Sequence, residues 1–277
     1  MKTQELLDRY EILYPEFADL RRAYTDKDLS SIFRVITDDN KEDLRKLIME
    51  DNTWKLWPLL DSIVETQFTK AFKNFFVNET EIWDDCFSRG QLQSKLWLVN
   101  ELKQIQNDLG TVFLCAGWYA TLSTMLFEKG FKINKMRSFD IDPECVDIAE
   151  IFNAPWFQNE WQFKALTADI HDIDYEEHVW TFWSNKNNRQ SYPITDKPDT
   201  VINTSCEHIV DFDGWFGKIP KGKLVILQSN DFIEVEEHVN CVKDSLHFAE
   251  MAPFSKVLFT GELPLEKYTR YMRIGIR

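Results

Sequence analysis

SKVLFTGELPLEKYTRYMRIGI, residues 255–276, holds two apolar runs, SKVLFT (255–260) and RYMRIGI (270–276), separated only by GELPLEKYT. A parallel return within one sheet needs a crossover of roughly a dozen residues or more. The gap is too short for that, so the two runs pair as an antiparallel hairpin and close whatever sheet precedes them.

Five further strand candidates lie upstream: KLVILQS (223–229), DTVINT (199–204), QFKALTA (162–168), MRSFDI (136–141) and TVFLCA (111–116). The stretches between them, roughly 118–129, 143–152, 174–184 and 207–216, are long enough for helices. Short apolar runs alternating with helical stretches mark repeated strand and crossover-helix units, which build a parallel sheet. The pattern therefore predicts five alternating units ended by a hairpin, seven strands in all.

Before Gly110 the period changes. DKDLSSIFRVI (26–36), KEDLRKLIME (41–50) and LWPLLDSIVETQFTKAFKNFF (56–76) space apolar residues three and four apart, as an amphipathic helix requires. Asn40 and Asn52 stand where helix caps are expected, and Pro58 can open a helix in its first turn. SRGQLQSKLWLVNEL (88–102) has the same period. Two parts follow from this reading: an α-helical N-terminal segment or lid over 1–109, and an α/β domain over 110–277.

The chain has 46 acidic and 32 basic residues, a net charge of −14. Such a field repels phosphate backbones, so nucleic acid is a disfavoured partner. Lys132, Lys135 and Arg137 form a short basic strip, which reads as a solvated face. The 21 Phe and 10 Trp are expected in the core or around a pocket. Cys86, Cys115, Cys145, Cys206 and Cys241 are odd in number and contain no CxxC pair, which points away from disulfides and from thiolate zinc. The charged N-terminus MKTQELLDRYEILYPEF lacks a signal-peptide core, and no stretch is apolar enough to span a bilayer. A soluble cytoplasmic protein is the expectation.

Polar residues gather where each apolar strand ends: CAGWYA (115–120), SFDIDP (138–143), TADIHDID (167–174), NTSCEH (203–208) and LQSND (227–231). In open α/β sheets the ligand crevice lies outside these carboxyl ends. Order and spacing over about residues 90–277 resemble the class I S-adenosylmethionine-dependent methyltransferases. The resemblance implies a seven-stranded Rossmann-like sheet whose antiparallel last strand lies in the interior. It also implies S-adenosylmethionine as cofactor and a small or medium-sized nucleophile as substrate.

By that resemblance, Ala116, Gly117 and Trp118 form the turn under the methionine moiety, where the family usually has two or three glycines and this chain has one. A glycine there allows close backbone approach and a positive φ. Asp140 is matched to the ribose hydroxyls, which a two-oxygen carboxylate suits. Asp142, before Pro143, doubles as a helix cap. Asp169 matches the position near the adenine amino group. Arg89, in the preceding helix, is matched to the methionine carboxylate, along with Lys95 as an alternative.

After the fourth strand Asn203, Ser205, Glu207 and His208 form a dense polar cluster. His208 is the candidate general base and Glu207 and Asn203 the candidate positioners, while Ser205 doubles as a cap or cofactor contact. Gln228, Asn230, Asp231, His238 and Asn240 follow the fifth strand at the same edge, facing the same cavity. Glu207, His208 and His238 have zinc- or iron-binding chemistry, but some thirty residues separate the elements and no HxxxH spacing exists, so no metal is expected. Two other uses of the site stand beside methyl transfer: aminocarboxypropyl transfer, as in nicotianamine-synthase-like proteins, and a non-catalytic ligand-binding or interaction module. A dehydrogenase is disfavoured because the first turn lacks GxGxxG.

Overall fold

The computed structural model describes residue 86, residues 88–184 and residues 190–277; the helices expected before residue 86 lie outside the described residues. In strand β1 (Asp108–Cys115) successive side chains point to opposite faces. Val112 and Leu114 enter one apolar cluster and Phe113 and Cys115 another. The same division recurs in β6 (Thr200–Asn203), between Ile202 and Val201, and in β7 (Leu224–Asn230), between Ile226 and its neighbours Val225 and Leu227. Buried on both faces, these strands read as continuous apolar runs rather than alternating ones.

With β2 (Lys132–Asp140), β3 (Phe163–Thr167), β8 (Lys256–Pro264) and β9 (Thr269–Ile276) they form one seven-stranded sheet in the order β3-β2-β1-β6-β7-β9-β8. The pairs among β1, β2, β3, β6 and β7 are parallel, and β9 runs antiparallel between β7 and β8. All seven expected strands are present, and the closing hairpin pairs Lys256 with Ile276 through to Pro264 with Thr269. The fold is the one the resemblance implied, with the antiparallel last strand inside the sheet.

One face is covered by α1 (Arg89–Ile105), α2 (Thr121–Glu128) and α3 (Glu144–Phe152), followed directly by the short α4 (Ala154–Gln158). Ser88 Oγ accepts from the Gln91 N–H at 3.4 Å to start α1, and Leu98, Val99 and Leu102, three and four apart, are buried. The Gln228 side chain donates to the Ser94 carbonyl at 3.0 Å, tying α1 to β7. The other face carries α5 (Phe212–Lys218) and α6 (Ser245–Met251), with Trp215 and Phe248 fully buried. Cys115, Cys145, Cys206 and Cys241 are free thiols. Among the described residues no helix is long and apolar enough to cross a membrane.

The stretch 174–184 corrects the sequence reading. Instead of a crossover helix it contains β4 (His178–Ser184), which pairs antiparallel with β5 (Gln190–Asp196) as a separate two-stranded sheet. HVWTFW alternates β-branched and aromatic residues, which lose side-chain freedom in a helix and pack well on a pleated ribbon. Val179 is exposed and Trp180 buried, the alternation of a half-covered strand.

Asp196 fastens this ribbon to β2. Its carboxylate accepts from Lys135 Nζ at 2.8 Å, Arg137 Nε at 2.6 Å and Trp180 Nε1 at 2.8 Å. Arg137 also donates to the Trp161 carbonyl at 2.9 Å and is only 2% exposed. The basic strip is therefore not one solvated face: Lys132 faces solvent, while Arg137 is a buried partner of the ribbon.

Candidate functional site

The turn leaving β1 holds three non-glycine residues in the left-handed region, Ala116 (φ 50°), Trp118 (φ 49°) and Ala120 (φ 51°). Each such residue costs of order 1–3 kcal/mol unless its surroundings fix it, and clusters of them collect at ligand sites. Gly117 is not among the positive-φ residues. It serves close approach instead: a Cβ there would lie 2.1 Å from Ser138 Oγ and 3.2 Å from the Leu114 side chain. The Gly117 N–H donates to the Phe139 carbonyl at 2.9 Å, drawing the turn against β2. Trp118 and Tyr119 stack with ring centroids 4.6 Å apart, and α2 starts immediately after Ala120.

Asp140, at the end of β2, fixes that turn. Its Oδ2 accepts from the Trp118 N–H at 2.7 Å and its Oδ1 from the Asp142 N–H at 3.1 Å. Each oxygen keeps a lone pair for a further donor. Asp142 Oδ1 accepts from the Glu144 N–H at 2.9 Å, the expected capping contact at the start of α3. Asp169 faces His171, accepting from its backbone N–H at 2.8 Å and facing its Nδ1 at 2.9 Å, while His171 Nε2 meets the Asp211 carbonyl at 3.1 Å. Those bonds hold the Asp169 carboxyl below its usual range. Burial alone would lower the His171 imidazole, but two acceptors facing its two nitrogens raise it.

β6 ends on Asn203, whose Cα pairs with that of Cys115 across the β1–β6 step, where the strand order reverses. Asn203 is fully buried. Its Oδ1 accepts from the Ser205 N–H at 2.8 Å, and its Nδ2 has no hydrogen-bond partner among the described residues. Ser205 precedes a 3-10 turn (Cys206–His208) without a side-chain capping bond.

Glu207 is 2% exposed, and its Oε1 accepts from Arg270 Nη1 at 2.7 Å and Asn230 Nδ2 at 2.6 Å. Its Oε2 is buried with no hydrogen-bond partner among the described residues. The loop after β7 returns over this turn: the Asn240 N–H donates to the Glu207 carbonyl at 2.8 Å and Asn240 Nδ2 to the Cys206 carbonyl at 3.4 Å. That places the His238 ring edge-on to His208, centroids 4.6 Å apart.

The fold thus gathers Asn203, Ser205, Glu207 and His208 with Asn230, His238 and Asn240, the two clusters expected to share one edge. Gln228 is turned away onto α1, and Asp231 accepts from the Thr269 N–H at 2.8 Å. Arg89 begins α1, but its side chain lies outside the described residues; Lys95 is buried and donates to the Gln91 side chain. Arg270, the buried cation paired with Glu207, was missed. It sits in the apolar run of β9, and burial of a charge inside a strand was the only signal available. A separate cleft lined by Asp108, Gly110, Asp199 and Gly222 lies at the opposite, N-terminal ends of the strands.

No protein-family model matches this chain, and no curated protein matches it in sequence. Among solved structures it is similar to the N-methyltransferase NodS from Bradyrhizobium japonicum WM9, at 8% identity and TM-score 0.48, covering 69% of this chain and 98% of that one. It is also similar to magnesium protoporphyrin IX methyltransferase (ChlM) from Synechocystis PCC 6803 with bound SAH, at 12% identity and TM-score 0.48, covering 80% and 99%. A third is geranyl diphosphate C-methyltransferase from Streptomyces coelicolor A3(2), at 6% identity and TM-score 0.46, covering 68% and 78%. Each likeness is one of backbone course.

Proposed function

We propose that the chain binds S-adenosylmethionine over the carboxyl ends of β1, β2 and β6 and transfers its methyl group to a small or medium-sized nucleophile. Asn203 carries this reading. A buried amide nitrogen without an acceptor costs about 1–3 kcal/mol, and this one stands at the strand-order reversal where open α/β sheets take ligands. A polar ligand group there removes the cost.

The surrounding residues fit the cofactor. Asp140 has one lone pair left on each oxygen, a match for two vicinal ribose hydroxyls. Ala116, Trp118 and Ala120 are held in a left-handed backbone conformation that non-glycine residues do not prefer, and the stacked Trp118 and Tyr119 rings belong to the same turn. S-adenosylmethionine held there would supply an electrophilic sulfonium methyl group with a neutral thioether as its leaving group. The chain's part is alignment, which can supply a large share of the barrier reduction. His208, exposed at the rim, accepts the acceptor's proton; Asn203 and Glu207, both buried, position the reactants.

Calorimetric titration with S-adenosylhomocysteine tests the reading. One-site binding that weakens in Asn203→Ala is expected; no binding to the wild-type chain overturns it. Product analysis then assigns the transferred group. S-adenosylhomocysteine identifies methyl transfer, and methylthioadenosine would identify aminocarboxypropyl transfer instead.

A further inference from the structure

We propose that Glu207, His208 and His238 form a site for one divalent transition-metal ion with zinc-like ligand preferences. One donor atom from each residue lies within 4.8 Å of the other two. Donors at about 2.0–2.2 Å from a shared ion lie no more than about 4.4 Å apart, a closure that rotation of the exposed His208 side chain would provide. The thirty residues that separate His208 from His238 in sequence are bridged by the loop bonded back through Asn240.

Two features prepare the donors. His238 Nδ1 lies 2.6 Å from the Phe232 carbonyl oxygen. A carbonyl only accepts, so Nδ1 carries the proton and Nε2 presents its lone pair, the arrangement that orients an imidazole for ligation. Glu207 is fixed through Oε1 by Arg270 and Asn230, which leaves Oε2 buried without a donor among the described residues. A buried carboxylate oxygen lacking a partner is costly, and a cation beside it removes that cost.

Two imidazoles and one carboxylate suit zinc, iron and their neighbours better than magnesium or calcium, which prefer oxygen donors throughout. Arg270 shares the Glu207 charge and tempers the affinity, while the net charge of −14 favours a cation. Three protein ligands leave a position open, as catalytic sites do and closed structural sites do not. That position takes an oxygen or nitrogen of the small substrate, a role that rests on the methyl-transfer reading; the ion site itself does not. With the ion bound, His208 acts as a ligand instead of a proton acceptor.

The test uses the full chain, stripped with chelator, dialysed and titrated with Zn2+ alone by calorimetry at neutral pH. One ion per chain is expected, weakened at least about tenfold in His208→Ala and in His238→Ala and unchanged in His247→Ala, a histidine outside the cluster. Co2+ should give the visible bands of a four- or five-coordinate ion, lost in His238→Ala. No uptake, or uptake unaffected by both cluster variants, overturns the site. Titration of the same sample with S-adenosylhomocysteine separates the two proposals: its binding without zinc uptake overturns the metal site alone, and zinc uptake without its binding sustains the metal site and overturns the cofactor reading.

Discussion

The backbone N–H of Trp118 donates to Asp140 Oδ2 across 2.7 Å, so the acid ending β2 fastens the left-handed turn ending β1. One carboxylate thereby holds the turn, and in the proposed reading it also takes the ribose hydroxyls.

Asp140→Ala should lose both. A hydrogen bond to a charged acceptor contributes about 1.5–3 kcal/mol, so a drop of that order in urea unfolding is expected. S-adenosylhomocysteine affinity should fall at least about tenfold, which is 1.4 kcal/mol or more. Lost stability with intact affinity would confine Asp140 to the turn.

Gly117→Ala places a methyl group 2.1 Å from Ser138 Oγ and 3.2 Å from Leu114. Overpacking of this kind costs typically about 1–3 kcal/mol. Ser138→Ala on that background should recover part of the loss, because it removes the nearer contact and leaves the Leu114 one. Wild-type stability in the single variant would contradict the close approach between the turn and β2.

Asp196→Ala leaves the Arg137 guanidinium buried without its carboxylate. Breaking a buried pair from one side costs about 3–5 kcal/mol, readable as a lower urea midpoint. Burial alone would raise the Asp196 carboxyl, but hydrogen bonds from Lys135, Arg137 and Trp180 hold it below its ordinary 3.8. A carboxyl depressed in the folded state contributes stability that is present above its unfolded value and lost as pH falls through the folded one. Wild-type stability should therefore decline below about pH 4, and Asp196→Asn should flatten that part of the profile.

His171 should titrate above its ordinary 6.5 in an NMR experiment on the five histidines. Its protonated form contributes stability that is full below 6.5 and lost as pH rises through the folded value. Asp169→Asn removes the facing charge and should move the titration downward. An unmoved midpoint would show that the Asp211 carbonyl alone sets it.

The seven strands of the main sheet were legible because short apolar runs, of which β1, β6 and β7 are buried on both faces, alternate with longer stretches, and because GELPLEKYT is too short for a crossover. The hairpin of β4 and β5 was not. HVWTFW stands in a stretch of crossover length, and length outweighed its β-branched and aromatic content. At the site, Asp142 was readable as a cap from its place before Pro143, a local relation. Asn203 was readable as the polar end of a buried strand because it follows TVI directly, yet that its Nδ2 has no partner among the described residues depends on what neighbouring strands fail to offer.

The sequence by itself determined the seven strands of the main sheet, their closing hairpin and which strand ends are polar, because these depend on periodicity and chain length between neighbours. Tertiary structure alone decided that Arg270 meets Glu207 and that His238 meets His208. The first meeting needs β9 inserted antiparallel beside β7, and the second needs the loop after β7 folded back by Asn240. Contacts between residues 30 and 63 positions apart are fixed by tertiary packing and hydrogen bonding, which no local pattern records.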